Sequence, residues 1–253
     1  MQRKLVTEDR DEREKDQMSK RLMNIINEVL LNTEDRVIEA MKEMMPINTK
    51  YVDNRTGYTL LTFTIAKECF KTANILIENG ADVNCAGETG KTPLIAAAGS
   101  GNLDTVKLLI SKGANVNHFS ILGYTALMLA VLIRSMDIVQ LLIKNGANVN
   151  HADNNGKTAL IYAVKYKSPG IIELLIKNGA DVNHTDRHGN TALDIARTNG
   201  YDSIVDTLNS AIVFTRSDGY LPSGAGAGAG AGAGEADKAE VDAKTSGRCV
   251  ISK

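Results

Sequence analysis

The chain of 253 residues has no apolar run approaching the roughly 20 residues needed to span a bilayer, so no transmembrane segment is expected. It also lacks an excess of either charge. Its 29 Lys and Arg residues stand against 30 Asp and Glu, a formal net charge of −1, and that balance removes the electrostatic case for nucleic acid or an anionic membrane as main partner. Cysteine is scarce: Cys69, Cys85 and Cys249 show no paired spacing and read as free thiols of a reducing compartment. The opening residues are too charged for a secretory leader, and the expected address is cytoplasmic or nuclear. No serine, cysteine or histidine stands in the context of an activated nucleophile, so neither enzyme chemistry nor a cofactor nor a metal is expected.

What is present is a period. Gly57, Gly90, Gly123, Gly156 and Gly189 follow one another at 33 residues, each with a threonine two residues on: Thr59, Thr92, Thr125, Thr158 and Thr191. A second glycine keeps the same step at Gly80, Gly113, Gly146 and Gly179, inside near-identical runs such as Asn145-Gly146-Ala147-Asn148-Val149-Asn150. Between the two lie apolar residues at helical spacing, for example Leu94, Ala97 and Ala98, then Leu103, Val106, Leu109 and Ile110. Each unit is therefore expected to be two short helices. The threonines are placed as N-caps, Pro93 occupies a favoured first helical position, and the second glycine closes the outer helix.

The runs Thr92-Pro93-Leu94-Ile95, Thr125-Ala126-Leu127-Met128, Thr158-Ala159-Leu160-Ile161 and Thr191-Ala192-Leu193-Asp194 resemble the Thr-Pro-Leu-His-x-Ala signature of the ankyrin repeat, whose period is also about 33 residues. The resemblance covers residues 53–211 as about five repeats (53–86, 87–119, 120–152, 153–185 and 186–211). It implies an all-α solenoid of stacked helix-turn-helix repeats joined by β-hairpin-like turns, acting as a protein–protein interaction scaffold or adaptor. No repeat carries the signature histidine, which predicts looser ties between neighbouring turns. Ala97, Ala130, Ala163 and Ala196 recur in phase and let inner helices approach closely, whereas Thr64 in that place marks the first repeat as degenerate.

The flanks read differently. Residues 1–21 form a charged N-terminal tail, and 22–52 carry apolar periodicity (Leu22, Ile25, Ile26, Val29, Leu30; Val37, Ile38, Met41, Met44, Met45) that predicts a helical cap over the open first repeat. Residues 212–234 read as a linker containing the Gly224–Gly234 Gly-Ala alternation, and 235–253 as a disordered polar tail.

Several local signals compete with this frame. Cys249-Val250-Ile251-Ser252 would satisfy a prenylation box if terminal, but Lys253 follows it; Cys249 is a candidate lipidation site, and a membrane partner is expected only if that box is processed. Gly87 to Thr92 and Gly156-Lys157-Thr158 imitate a phosphate-binding loop, yet Cys85 and His151 stand where it needs its first glycine. His118, His151 and His184 share one repeat position. Repeats about 10 Å apart cannot place such donors within the roughly 2.3 Å that zinc requires, so these are turn residues. Asn84, Asn117, Asn150 and Asn183, with Leu76, Leu109, Leu142 and Leu175 upstream, match positions at which the resemblance implies a substrate for an asparaginyl hydroxylase; an asparagine bonding the turn backbone explains them as well.

For binding, the resemblance implies a concave face lined by hairpin tips and the exposed ends of inner helices. The third repeat's variable positions are all apolar or aromatic: Ile121, Leu122 and Tyr124 at the tip, Leu132 and Ile133 on the helix. The fourth repeat places Lys165 and Tyr166 beside them. The expected function is a monomeric, non-catalytic adaptor binding a protein segment there. The alternative is a membrane-targeted or secreted effector or substrate-delivery subunit that uses the repeats as cargo reader.

Overall fold

Each of the five threonines starts a helix. In the computed structural model, which describes residues 58–217, Thr59, Thr92, Thr125, Thr158 and Thr191 have extended backbone and accept the N–H three residues on at 3.2, 3.4, 3.3, 3.4 and 3.1 Å. Such caps stabilise a helix by about 1 kcal/mol. The helices are α1 (Leu60–Ala66), α2 (Phe70–Glu78), α3 (Pro93–Ser100), α4 (Leu103–Ser111), α5 (Ala126–Leu132), α6 (Met136–Lys144), α7 (Ala159–Lys165), α8 (Pro169–Lys177), α9 (Ala192–Thr198) and α10 (Asp202–Ser217). Odd-numbered helices are the inner members of each pair and even-numbered ones the outer.

The described residues belong to two compact units that part between Ala114 and Asn115. In the first, α1 packs on α3 and α2 on α4, around Leu61, Ile65, Leu76, Leu94, Ile95 and Leu109. Thr64 lies fully buried at the position other repeats give to alanine, and its hydroxyl donates to the Leu61 carbonyl at 2.8 Å. The degenerate repeat thus keeps a polar atom inside by bonding it within its own helix. In the second unit α5, α7 and α9 pack in succession, backed by α6, α8 and α10. Ala130, Ala163 and Ala196 have no exposed surface there, and Leu127, Met128, Ile138, Leu142 and Leu160 fill the core.

The outer helices α2, α4, α6 and α8 end two residues before a left-handed glycine, and the chain then turns through hairpin-like tips. Isolated antiparallel bridges Phe119–Thr125 and Thr185–Thr191 close two of those tips, with no extended strand among the described residues. No described helix is long and apolar enough to cross a membrane.

Burial pushes the pKa of the Cys69 thiol up against the opposing pull of Lys67. Cys85 is buried. The expected helical cap at 22–52, the charged N-terminal tail, the polar C-terminal tail, Cys249 and the Gly-Ala run lie outside the described residues.

Candidate functional site

The tips of the second unit are built on two carboxylates. Asp153 Oδ1 accepts the N–H groups of Asn155 and Lys157 at 2.9 and 2.8 Å, and Asp186 Oδ1 those of His188 and Asn190 at 2.9 and 3.0 Å. An acceptor-only side chain bonding the backbone two and four residues on is what shapes each tight turn. Successive tips are then joined: Asn154 donates its N–H to the Leu122 carbonyl at 3.1 Å and its side-chain amide to the Ile121 carbonyl at 2.8 Å, while Arg187 N–H reaches the Asn155 carbonyl at 3.0 Å. The tips approach so closely that a Cβ on Gly123 would stand 2.7 Å from the Asp153 Cα, and one on Gly156 2.9 Å from the Arg187 nitrogen. Both glycines also have positive φ, +82° and +73°. Backbone contact, and not only turn conformation, demands glycine at these two positions.

On this frame the third repeat displays apolar side chains. Among the described residues the exposed large hydrophobics are Phe119 (55%), Ile121 (65%), Leu122 (61%), Ile133 (42%) and Val213 (65%), so three of the five belong to the third repeat and a fourth, Phe119, immediately precedes it. The tip of Ile121 and Leu122 is held by its backbone while both side chains point into solvent. Neither folds back onto a neighbouring tip. Leu129 and Leu132 are half-buried, and Leu129 lies about one helical turn before both Leu132 and Ile133. Leu129 was not singled out by the sequence reading, although it stands four residues before Ile133. Phe119, whose ring stacks on His151 with centroids 5.1 Å apart, borders the tip.

Tyr124 plays a different part. It is half-buried, and its hydroxyl lies within hydrogen-bond distance of the Tyr162 hydroxyl at 3.3 Å, with ring centroids 6.1 Å apart. Tyr162, itself buried, also bonds Asp153 Oδ2 at 2.6 Å. Burial first, then the bonds to Asp153 and Tyr124, raise the Tyr162 pKa far above the ordinary phenolic range, so this hydroxyl stays protonated. The network ties the tip carboxylate to the floor beneath the apolar side chains. Lys165 is exposed with its Nζ 5.9 Å from the ring centroid of half-buried Tyr166, a cation–π contact at the end of α7. The structure therefore brings the seven predicted residues onto the inner helices and tips of one unit: Ile121, Leu122, Ile133 and Lys165 exposed, Tyr124, Leu132 and Tyr166 half-buried.

The family model described as ankyrin repeats (3 copies) matches residues 28–120 and 127–218, well over half of the chain. The chain belongs to the ankyrin repeat family. No curated protein matches it. Ankyrin repeats are in general protein–protein interaction modules, and the family is typically non-catalytic.

Within this ankyrin chain the missing signature histidine is replaced in function. His151 Nε2 bonds the Gly123 carbonyl at 3.1 Å and His184 Nε2 the Gly156 carbonyl at 2.9 Å, each reaching back to the preceding tip. The turn asparagines work forward. Asn117 donates to the Gly146 carbonyl at 3.0 Å and accepts the Asn148 N–H at 2.7 Å, and Asn150 repeats both bonds with Gly179 and Asp181 at 2.9 and 2.8 Å. In the first unit Asn84 donates to the Gly113 carbonyl at 3.0 Å. The expectation of loose ties between turns is corrected by these bonds: the sequence carries the donors at other positions of the unit. The same asparagines were candidate modification sites, with Asn183; its N–H bonds the Asp181 side chain at 2.9 Å. Leu76, Leu109, Leu142 and Leu175 are fully buried core residues. The threonines of the two apparent phosphate loops, Thr92 and Thr158, are buried helix caps.

Proposed function

We propose that the protein is a non-catalytic interaction scaffold that works as a monomer in the cytoplasm and binds one partner protein through the second unit, centred on the third repeat. The observation that carries this reading is the concentration of Ile121, Leu122 and Ile133 in solvent on one repeat. Nothing in the folding of that repeat requires them: the tip is held by backbone bonds and the helix by its buried side. Contiguous exposed apolar side chains beside tyrosines, rimmed by polar and charged groups, are the composition of a protein-binding face.

Leu122→Lys with Ile133→Lys tests it. Both side chains are exposed, so the double variant is expected to melt within a few degrees of wild type, since surface substitutions stay within about 0.5 kcal/mol each. Capture of the partner by the immobilised full chain is expected to be abolished. Capture undiminished at equal folded fraction would sink the reading.

A further inference from the structure

Charge in the second unit is unevenly divided, although the outer helices carry the cations Lys144, Lys177 and Arg216. Its tips and inner helices carry the cations Arg134, Lys157, Lys165, Lys167, Arg187 and Arg197, against the carboxylates Asp153, Asp186 and Asp194. Those three carboxylates are already engaged. Asp153 and Asp186 bond the backbone of their own tips, and Asp194 Oδ2 accepts the Thr191 hydroxyl and N–H at 2.6 and 2.9 Å. The other acidic residues lie elsewhere: Asp137, Glu173, Asp202 and Asp206 on outer helices, Asp181 in the turn after α8. Lys157 lies near enough to Asp186, and Arg197 to Asp194, to help lower their pKa values. Arg134, Lys165, Lys167 and Arg187 have no carboxylate within 4.0 Å among the described residues. Instead Lys165 and Lys167 lie over the rings of Tyr166 and Tyr201, at 5.9 and 5.0 Å.

Backbone conformation singles out two of these cations. Arg134 (φ 58°) and Lys167 (φ 53°) follow α5 and α7 in the left-handed region, where α3 and α9 are followed by Gly101 (φ 78°) and Gly200 (φ 67°). Glycine holds that conformation without strain, and a side chain does not. The second unit therefore keeps two long cations where the backbone favours none, Arg134 directly after the exposed Ile133 and Lys167 at the same place one repeat on. The first unit has Glu68 (φ 61°) at the same place, so the positive sign belongs to the second unit alone.

We propose that this face receives an extended segment of a partner protein that carries a bulky apolar anchor followed by acidic residues. The anchor seats on Ile121, Leu122 and Ile133, and the carboxylates meet Arg134, Lys165 and Lys167. The assignment rests on the interaction reading above and adds the chemistry of the partner. Charge complementarity decides it: cations at the rim of an apolar patch accelerate the encounter with an acidic segment and reject a basic one. The fold also sets the spacing. Packed helices lie about 8–10 Å apart and an extended chain advances about 3.3 Å per residue, so a carboxylate that reaches α7 from an anchor on α5 stands about three residues along.

Random peptides displayed on phage are selected on the immobilised full chain, and the enriched sequences are synthesised and titrated by fluorescence anisotropy. The expected winners carry an apolar residue with Asp or Glu about three residues away, bind more weakly as salt rises, and lose at least about tenfold in affinity to Arg134→Gly with Lys167→Gly. That variant relieves backbone strain, so its melting temperature is expected to equal or exceed wild type, which separates lost binding from lost folding. Winners without acidic bias that still fail on Leu122→Lys with Ile133→Lys would overturn the charge assignment and leave the apolar face standing. Winners indifferent to both variants, or no enrichment, would overturn both. Displacement of the peptides by oligothymidine as effectively as by free peptide would overturn the protein segment in favour of a nucleic acid. Self-association lost in the glycine variant would make a second copy the occupant. Affinity gained on Glu235→Gln, Asp237→Asn, Glu240→Gln and Asp242→Asn would make it the chain's own tail. Either result overturns the assignment to a partner.

Discussion

Gly123 and Gly146 are both left-handed glycines in the third repeat, yet they answer to different demands. A Cβ on Gly146 meets nothing within 4 Å, so Gly146→Ala brings only the strain of positive φ, about 1 kcal/mol. A Cβ on Gly123 would collide with the backbone of the next tip at 2.7 Å, and relief requires the two tips to separate. Gly123→Ala is expected to lose at least about 2 kcal/mol, combining that strain with broken tip-to-tip bonds. Urea denaturation of the two variants compares them; equal losses would show that tip contact contributes nothing. Sequence alone could not separate these glycines, since each recurs every 33 residues and the close approach exists only once two repeats are stacked.

At the scale of the helix, the in-phase alanines are the strongest constraint. Ala163 on α7 has no exposed surface, and α7 packs against both α5 and α9. Ala163→Leu must push one neighbour away and is expected to destabilise by about 1–3 kcal/mol or more. Lys177→Leu, at the exposed end of α8, is expected to stay within about 0.5 kcal/mol. Thermal melts of both check the contrast. Helices were legible because Thr59, Thr92, Thr125, Thr158 and Thr191 announce their starts and the apolar spacing gives their buried sides. The candidate face was legible in part. Ile121, Leu122 and Ile133 stand out because their repeat-mates are polar, whereas Tyr124 looks equally free in sequence and proves to be tied to Tyr162. That bond spans 38 residues and has no local signal.

For the whole molecule, a formal charge of −1 conceals how charge is distributed. Composition offers no case for bulk electrostatic attraction, but it averages over the excess of cations on the tips and inner helices of the second unit. Acid stability reads the carboxylates there. Burial alone would raise the Asp186 pKa; the backbone N–H groups of Asn190 and His188, with the nearby His188 and Lys157, outweigh it and hold the value below the ordinary one. Asp194 is held low chiefly by the hydroxyl and N–H of Thr191. Groups with lowered folded pKa values stabilise fully above the unfolded value, about 3.9 for Asp, and that contribution disappears as pH falls through the folded values. Denaturation midpoints are therefore expected to hold from neutral pH to about pH 5 and to drop below about pH 4. In Asp186→Asn with Asp194→Asn that drop is expected to be shallower, because neither position can then take up a proton on unfolding. An unchanged slope would assign the acid sensitivity to other groups.

The bonds from Asn117 to Gly146 and Asn148, 29 and 31 residues on, and from His151 back to Gly123, 28 residues before, have a consequence for how such a chain can change length. Adding or deleting one residue within a repeat would throw every one of these partners out of register at once. Insertion or loss of a complete unit would hand each donor an equivalent acceptor. The hydrogen-bonded turns thus act as a ruler, and lineages carrying this architecture can lengthen or shorten it only in whole-repeat steps.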